Sequence, residues 1–186
     1  MSSKPVVIVL AAGKGERFLA SGGKTHKLAA SLGGLTVLEH VIRTVQASGL
    51  EMHIVKSATG DGMADSIAAG VTATSQAAGW LILPGDLPLI QSESLRRVAD
   101  ELISYKVVVP HYRQQQGHPV GFRKECFDAL ARLSGDRGAK AVIQQYRLTN
   151  EVLDLSLDDV GVVTDIDTVD DLHSAEKLFM QIANPA

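Results

Sequence analysis

The chain of 186 residues is 45% hydrophobic and 21% charged, the composition of a globular protein with room for one domain and a sizeable core. Its formal net charge is −3 and no segment is densely basic, which argues against a large nucleic-acid interface. No apolar run approaches the roughly 20 residues of a membrane span, and the run near the N-terminus is too short for a signal peptide, so we expect a cytoplasmic protein with no membrane partner.

In the first half of the chain, apolar runs alternate with helical patterns. Four runs predict strands: PVVIVLA (5–11), MHIV (52–55), WLILP (80–84) and KVVVP (106–110). The first is apolar throughout, as expected of a strand that is covered on both faces. Three helices are predicted between the strands, over 36–49, 63–74 and 92–104. Gly49 is the predicted C-cap of the first helix and Ser92 the predicted N-cap of the third.

The second half changes character after the fourth strand. The polar segment HYRQQQGHPVGF (111–122) predicts a hairpin laid over an otherwise parallel sheet. Two helical stretches (124–133 and 138–146) and two strands, EVLDL (151–155) and VVTDI (162–166), follow it. The last helix (168–183) begins with Thr168 and Asp171 in capping-box spacing.

The alternation of strands and helices predicts one α/β domain, residues 1–186, with a mostly parallel sheet. In such sheets, ligands bind at the carboxyl ends of the strands. The segments of unusual composition all follow predicted strands directly; they are 11–17, 56–62, 84–90 and 164–167. We therefore expect the functional site to be assembled at this edge.

The segment LAAGKGERF (10–18) follows the first strand without a break. Small residues and two glycines leave backbone N–H groups unshielded, and successive N–H groups in such a turn form a concave anion site. Arg17 and Lys27 can then hold phosphate oxygens, the arginine through its planar fork and the lysine as a point charge. The alternative is an ordinary strand-to-helix turn with two solvated cations.

Two other glycine-loop motifs fail here. A dinucleotide fingerprint requires a third glycine where Phe18 stands, and no acidic residue follows the second strand. A P-loop is suggested by Gly23, Lys24 and Thr25, but the first glycine of that motif would also fall at Phe18. Neither motif describes this loop.

Carboxylates follow two of the predicted strands. Asp86 lies between Pro84 and Pro88, which restrict the backbone and present the carboxylate at the sheet edge. Such a carboxylate is a candidate Mg²⁺ ligand, since Mg²⁺ binds through one or two carboxylates and substrate phosphates; the alternative is a turn aspartate. Asp165 and Asp167 are two residues apart, face the same side of an extended segment, and can complete the metal site.

Six strings occur together and in order: VLAAGKGERF…HKLAASLGG, GMADSIAAGV, LPGDLPLI, GHPVGF, LSGDRGAKAVI and DIDTVDDL. On these strings, over nearly its whole length, the chain resembles the MobA-like NTP transferases, in particular the molybdenum cofactor cytidylyltransferases. The resemblance implies a three-layer, Rossmann-like sheet of the GT-A type with an antiparallel hairpin insertion. It also implies an NTP substrate, Mg²⁺ and the release of pyrophosphate.

The resemblance assigns the loop residues to the triphosphate; they are Leu10, Ala11, Ala12, Gly13, Arg17 and Lys27. Gly15 joins the predicted nucleotide-binding residues because glycine allows the turn that exposes the N–H groups. The resemblance assigns Asp86 to the metal, and Asp165 and Asp167 to the metal or acceptor side. In this family the sequence LAAG, rather than LAGG, is associated with cytidine nucleotides. The resemblance therefore makes CTP the expected donor. The spacing from arginine to lysine is longer than in the family, so Lys24 can share the role of Lys27.

Four further residues are weaker candidates. Asp65 and Ser66 begin a helix that is expected to point toward the pocket, so they contact base or ribose, or else form a plain N-terminal turn. His118 and Arg137 are candidate acceptor contacts, with a structural hairpin histidine and a solvated loop cation as the alternatives. Cys126, the only cysteine in the chain, is expected to be a small core residue.

These observations give one leading hypothesis, a Mg²⁺-dependent enzyme that transfers CMP from CTP to a molybdopterin-type phosphate. One alternative retains the chemistry and changes the acceptor to a sugar, alditol or choline phosphate. Another is a non-catalytic nucleotide-binding partner of a molybdoenzyme.

Overall fold

A seven-stranded sheet forms the centre of the protein, whose computed structural model describes residues 4–58, 60 and 62–185. Its strands are β1 (Val6–Leu10), β4 (Glu51–Val55), β5 (Gly79–Pro84), β6 (Val107–Tyr112), β7 (Gln115–Gln116), β8 (Val120–Arg123) and β9 (Val152–Ser156). The strand order is β4-β1-β5-β8-β6-β7, with β9 paired to β6. A small second sheet joins β2 (Ser31–Leu32) to β3 (Leu35–Thr36). The predicted fold class is confirmed.

The hairpin that follows β6 differs from its prediction. Instead of lying over the sheet, β8 is inserted in it and pairs antiparallel with both β5 and β6. Val120 and Phe122 are buried in the hydrophobic core on one face, and Gly121 lies against Val98 and Leu102 on the other. A strand that is covered on both faces belongs in a sheet interior, which explains the insertion.

Helices cover both faces of the sheet. Their bounds are α1 (Glu16–Ala20), α2 (Val37–Ser48), α3 (Met63–Ala73), α4 (Ser92–Glu101), α5 (Phe127–Ala131), α6 (Lys140–Arg147) and α7 (Val169–Ala183). The buried residues of α2 and α4 pack on one face, and those of α3, α5 and α6 on the other. A third apolar cluster, which includes Phe18, Leu28 and Ile166, joins α1 and α7 to the edge of the sheet where the site lies. No helix in the described ranges is long and apolar enough to cross a membrane.

The predicted caps hold at two positions and fail at one. Gly49 ends α2 in the left-handed conformation, and Thr168 and Asp171 form the predicted capping box of α7. Ser92, however, is the first residue of α4, and its N-cap is Gln91. Cys126 is buried, and this burial raises the pKa of its thiol to about 11, as expected of a core residue.

The segment VVTDI is not a strand, and this prediction is wrong. Val160–Val163 form a turn of 3₁₀-helix instead. The cause is Asp159, a buried carboxylate that accepts hydrogen bonds from the Gly161 N–H at 2.8 Å and the Gln91 N–H at 2.9 Å. It also accepts one from the Ser94 hydroxyl at 2.6 Å. These bonds cap the turn and the start of α4 together.

Asp159→Ala is expected to lower the free energy of unfolding by about 2 kcal/mol, because three donors, two of them in buried hydrogen bonds, lose a charged acceptor. Urea unfolding at neutral pH measures this change. The neighbouring Asp158 is exposed, so Asp158→Ala is the matched control and is expected to change stability by less than about 0.5 kcal/mol. Equal effects of the two substitutions would contradict the role assigned to Asp159.

Candidate functional site

The site lies at the carboxyl ends of β1 and β5, where backbone hydrogen bonds join the chain after β1 to its neighbours on both sides. The Gly85 N–H donates to the Leu10 carbonyl at 2.9 Å, and the Ala11 N–H donates to the Val55 carbonyl at 2.9 Å. A Cβ on Gly85 would lie 2.9 Å from the Leu10 oxygen, so only glycine permits this close approach. The loop that begins with LAAG (10–15, the LAAG loop) and the segment of Asp86 are therefore held side by side.

The LAAG loop leads into the short helix α1. Gly15, at φ 65°, is the N-cap of this helix and adopts a left-handed conformation that suits glycine. Phe18 then points into the core while Arg17, one residue earlier, is 81% exposed. The loop thus keeps its arginine at the surface of the site and anchors itself through the following aromatic ring.

Four charged side chains meet at this edge. The Lys27 Nζ lies 2.7 Å from the Asp86 Oδ2, and both side chains are only 16% exposed. The Arg17 Nη1 donates to the Asp167 Oδ2 at 2.8 Å, and Lys27 lies 3.9 Å from the other oxygen of Asp167. Residues that are up to 150 positions apart in the chain thus form one network of alternating charge.

Lys27, not Lys24, is the lysine that faces the carboxylates. It begins a 3₁₀ turn (Lys27–Ala29) whose next residue, Leu28, is buried in the apolar cluster beneath the site. Lys24 lies in the exposed part of the same loop. Burial of Leu28 orients this turn so that Lys27 lies beside Asp86, and the role of Lys27 in phosphate binding stays a prediction.

The segment of Asp165 and Asp167 is attached directly to Asp86. Ile166, between the two aspartates, is buried, and its N–H donates to the Asp86 carbonyl at 2.9 Å. The Asp171 carboxylate accepts hydrogen bonds from the Asp167 and Thr168 N–H groups at 3.1 and 2.7 Å. Asp171 is thus a cap that orients the segment, and Asp167 is directed toward Arg17.

Asp165 lies at the surface, but the partial burial of its carboxyl and, next, the negative charge of Asp86 raise its pKa. Because the pKa is higher in the folded protein than in the unfolded chain, the ionised Asp165 carboxylate lowers the stability of the fold at pH values above about 4, the ordinary carboxyl pKa. Well below that pH the carboxyl is protonated in both states, and it does not affect stability in this way.

Asp165→Asn is therefore expected to stabilise the protein at pH 7, by about 0.5 kcal/mol because solvent screens an exposed group. The gain should vanish near pH 3, where the wild-type carboxyl is protonated. Thermal unfolding at the two pH values measures it. A loss of stability at pH 7 would contradict this account of the Asp165 environment.

The carboxylates do not form a closed metal cage. Within 4–58, 60 and 62–185, no three acidic, histidine or cysteine side chains are arranged as a metal-binding group. The predicted trio of Asp86, Asp165 and Asp167 is therefore not a preformed site. Mg²⁺ usually takes one or two carboxylates and completes its shell with water and substrate phosphates. Asp86 and Asp165, which are close enough for the charge of Asp86 to raise the pKa of Asp165, are the residues that would supply such a pair.

Two clefts adjoin the network. The loop cleft, of about 140 Å³, is lined by Ala12, Gly13, Lys27, Ser66, Asp86 and neighbouring residues. The hairpin cleft, of about 390 Å³, contains both His118 and Arg137, and Met63 lines both clefts. The two acceptor candidates therefore share one cleft next to the one that contains the loop residues.

The weaker candidates differ in how they are placed. Ser66 lines the loop cleft, whereas the Asp65 carboxylate accepts the N–H groups of Gly62 at 3.1 Å and Gly135 at 3.3 Å, and so caps α3. Burial lowers the pKa of His118, against the opposing effect of the Asp86 charge, so its imidazole is neutral at pH 7. Thr59 and Asp61, in the predicted loop 56–62, lie outside the described residues.

Sequence reasoning missed several residues of the site. Lys140 and Arg147 line the hairpin cleft, with Gln116 and Gln144, and were not singled out because they look like ordinary exposed helix residues. His26 was also missed. It contacts the LAAG loop through a hydrogen bond to the Gly13 carbonyl. The sequence signal that could have identified His26 is its position immediately before Lys27.

Comparison with known proteins gives consistent results. A family model described as the MobA-like NTP transferase domain matches residues 48–152, which include Asp86 but neither the LAAG loop nor Asp167. The bifunctional protein GlmU of Streptococcus agalactiae serotype V is 32% identical over 161 residues, covering 74% of this chain and 33% of that protein. The chain thus spans about a third of the length of the curated relatives it matches.

Solved structures extend the likeness to nearly the whole chain. Rv0371c from Mycobacterium tuberculosis H37Rv is 26% identical, with a TM-score of 0.74 over 94% of this chain and 99% of that one. Its complex with manganese has a TM-score of 0.73 at 22% identity, with the same coverage.

Proposed function

Since the chain belongs to the MobA-like NTP transferase domain family, we propose that it transfers a nucleotidyl group from an NTP to a phosphorylated acceptor and releases pyrophosphate. The donor we propose is CTP, because the loop has the sequence LAAG, and the acceptor we propose is a molybdopterin-type phosphate. The proposal rests on one observation. The LAAG loop meets two cations, Arg17 and Lys27, and two carboxylates, Asp86 and Asp167, at one edge of the sheet.

In this proposal the triphosphate lies on the LAAG loop, against Lys27 and the exposed end of Arg17. The acceptor occupies the hairpin cleft, with His118 and Arg137 among its contacts. The two substrates then meet near Met63 and Asp86, between the clefts. The size of the hairpin cleft, about 390 Å³, supports an acceptor larger than a phosphate ion.

The reaction needs positioning and charge neutralisation rather than a covalent intermediate on the protein. An oxygen of the acceptor phosphate attacks the α-phosphorus in line, the new P–O bond forms, and the bond to the β-phosphate oxygen breaks. The electron pair leaves with pyrophosphate, whose added negative charge Arg17 and Lys27 stabilise. The proposed role of the loop N–H groups is to orient the triphosphate for this displacement.

A divalent cation fits the carboxylates of this edge. Asp86 together with Asp165 or Asp167 would hold it, and its chemistry when bound is to neutralise phosphate charge. The manganese complex of the Mycobacterium protein supports a divalent cation. Mg²⁺ is the proposed physiological ion.

The test is pyrophosphate release with each of the four NTPs and Mg²⁺ across a panel of acceptors: molybdopterin, sugar phosphates, alditol phosphates and choline phosphate. We expect release with CTP and molybdopterin. Pyrophosphate release with another acceptor would change the proposed acceptor but leave the proposed reaction as it stands. Nucleotide binding without release toward any acceptor would contradict the enzymatic proposal in favour of a binding partner.

A further inference from the structure

His26 connects the LAAG loop to the segment of Lys27. Its Nε2 lies 2.6 Å from the Gly13 carbonyl oxygen, and its Nδ1 lies 3.2 Å from the Leu28 nitrogen. The imidazole also packs beneath Gly15, where an added Cβ would lie 3.2 Å from Nε2. One side chain thus touches three points on two segments of the site.

The two hydrogen bonds define the tautomer of His26. The Leu28 N–H can only donate, so Nδ1 accepts and carries no proton. The Gly13 carbonyl can only accept, so Nε2 carries the proton and donates it. The neutral imidazole with its hydrogen on Nε2 is therefore the form that makes both contacts.

The contact at Gly13 controls the direction of a peptide in the proposed phosphate loop. The Gly13 carbonyl and the Lys14 N–H belong to one planar trans peptide and point in opposite directions. Among the described residues, an added Cβ on Gly13 would meet nothing within 4 Å outside its two chain neighbours, so the space beside the Gly13 Cα is open. The bond from His26 turns the carbonyl toward itself and directs the N–H to the other side.

We propose that His26 is a positioning residue, whose Nε2–H fixes the Gly13 peptide so that the LAAG loop presents its N–H groups to the triphosphate, a role that rests on the proposed function. It acts through the loop and does not touch the reacting atoms. The Nδ1 contact with Leu28 holds the imidazole beside Lys27, so the loop and the lysine keep a fixed separation.

Two substitutions separate this role from simple capping of the turn at Lys27. The amide of asparagine takes the position of Nδ1 and can still accept the Leu28 N–H, but it does not reach Gly13. The amide of glutamine reaches the position of Nε2 and can donate to Gly13, but it leaves Leu28 without its acceptor. A structural cap would make His26→Asn the milder change, whereas loop positioning makes His26→Gln the milder one.

Isothermal titration with inorganic triphosphate and with CTP, both with Mg²⁺, measures the effect. His26→Asn is expected to weaken binding of both ligands about tenfold, as for one lost hydrogen bond, and His26→Gln by no more than about threefold. His173→Asn, at an exposed position on α7, is the control and should bind as wild type does. The reverse order for His26, or equal binding by both variants, would overturn the proposal.

The wild-type protein provides a test that does not depend on the variants folding or on nucleotide binding. Nitrogen NMR of the imidazole at pH 7 is expected to show a protonated Nε2 and an unprotonated Nδ1. A hydrogen on Nδ1 would overturn the positioning role. Failure of wild type to bind either phosphate ligand, by contrast, would refute the proposed function itself.

Discussion

Replacing Asp86 with alanine is expected to lower turnover at least a hundredfold under saturating CTP, acceptor and Mg²⁺. The carboxylate lies 2.7 Å from Lys27 and lines the loop cleft, which the hairpin cleft adjoins at Met63. Losing one contact that stabilises transition-state charge costs about 3 kcal/mol, which corresponds to this change in rate. Initial rates of pyrophosphate release measure it.

The Asp86→Ala protein is expected to remain folded, because Lys27 keeps Asp167 as a neighbour at 3.9 Å. Circular dichroism before the assay tests this. Asp100→Ala is the matched control, since Asp100 is exposed on α4. Near-normal turnover of a folded Asp86→Ala protein would contradict the role proposed for this carboxylate.

Replacing Lys27 with methionine is expected to reduce kcat/KM for the NTP about a hundredfold. Methionine keeps the apolar stem but removes the cation that is proposed to stabilise the leaving pyrophosphate. It also removes the positive charge that lies 2.7 Å from the Asp86 carboxylate. Steady-state kinetics with varied CTP measures the change.

Lys24→Met is the comparison that the chain itself offers. Lys24 lies three residues earlier in the same loop and is exposed, so its loss should change kcat/KM no more than about threefold. A loss of activity in Lys24→Met as large as in Lys27→Met would mean that the loop rearranges when the nucleotide binds. Full activity of Lys27→Met would refute the proposed phosphate contact.

The charges of the site are mutually compensated in the protein without ligands. Lys27 pairs with Asp86, Arg17 pairs with Asp167, and the pairs are linked by the 3.9 Å approach of Lys27 to Asp167. Each cation that is proposed to bind a phosphate therefore has a carboxylate partner when the phosphate is absent. This compensation allows two partly enclosed ions, Lys27 and Asp86, to be kept together at low cost.

Local sequence signals determined the elements whose stability is local. The strands β1, β5 and β6 follow from apolar runs, and the start of α7 follows from the capping box of Thr168 and Asp171. The same signals placed the LAAG loop and Asp86 directly after predicted strands of one parallel sheet, and the structure shows that these strands, β1 and β5, are neighbours. Since parallel strands end at one edge, the sequence alone predicted that these segments would meet.

Tertiary contacts decided what local signals could not. The segment VVTDI has the composition of a strand, but the buried Asp159 binds its N-terminal turn to α4, and that distant partner is invisible in the local pattern. The placement of β8 inside the sheet depends on apolar surfaces of α4 and of the opposite core. Burial of Leu28 places Lys27, rather than Lys24, beside Asp86. His26 is positioned by its hydrogen bond to Gly13, which lies thirteen residues earlier in the chain. A residue's neighbours along the chain specify its backbone preference, whereas its partners across the fold depend on how all the elements pack together.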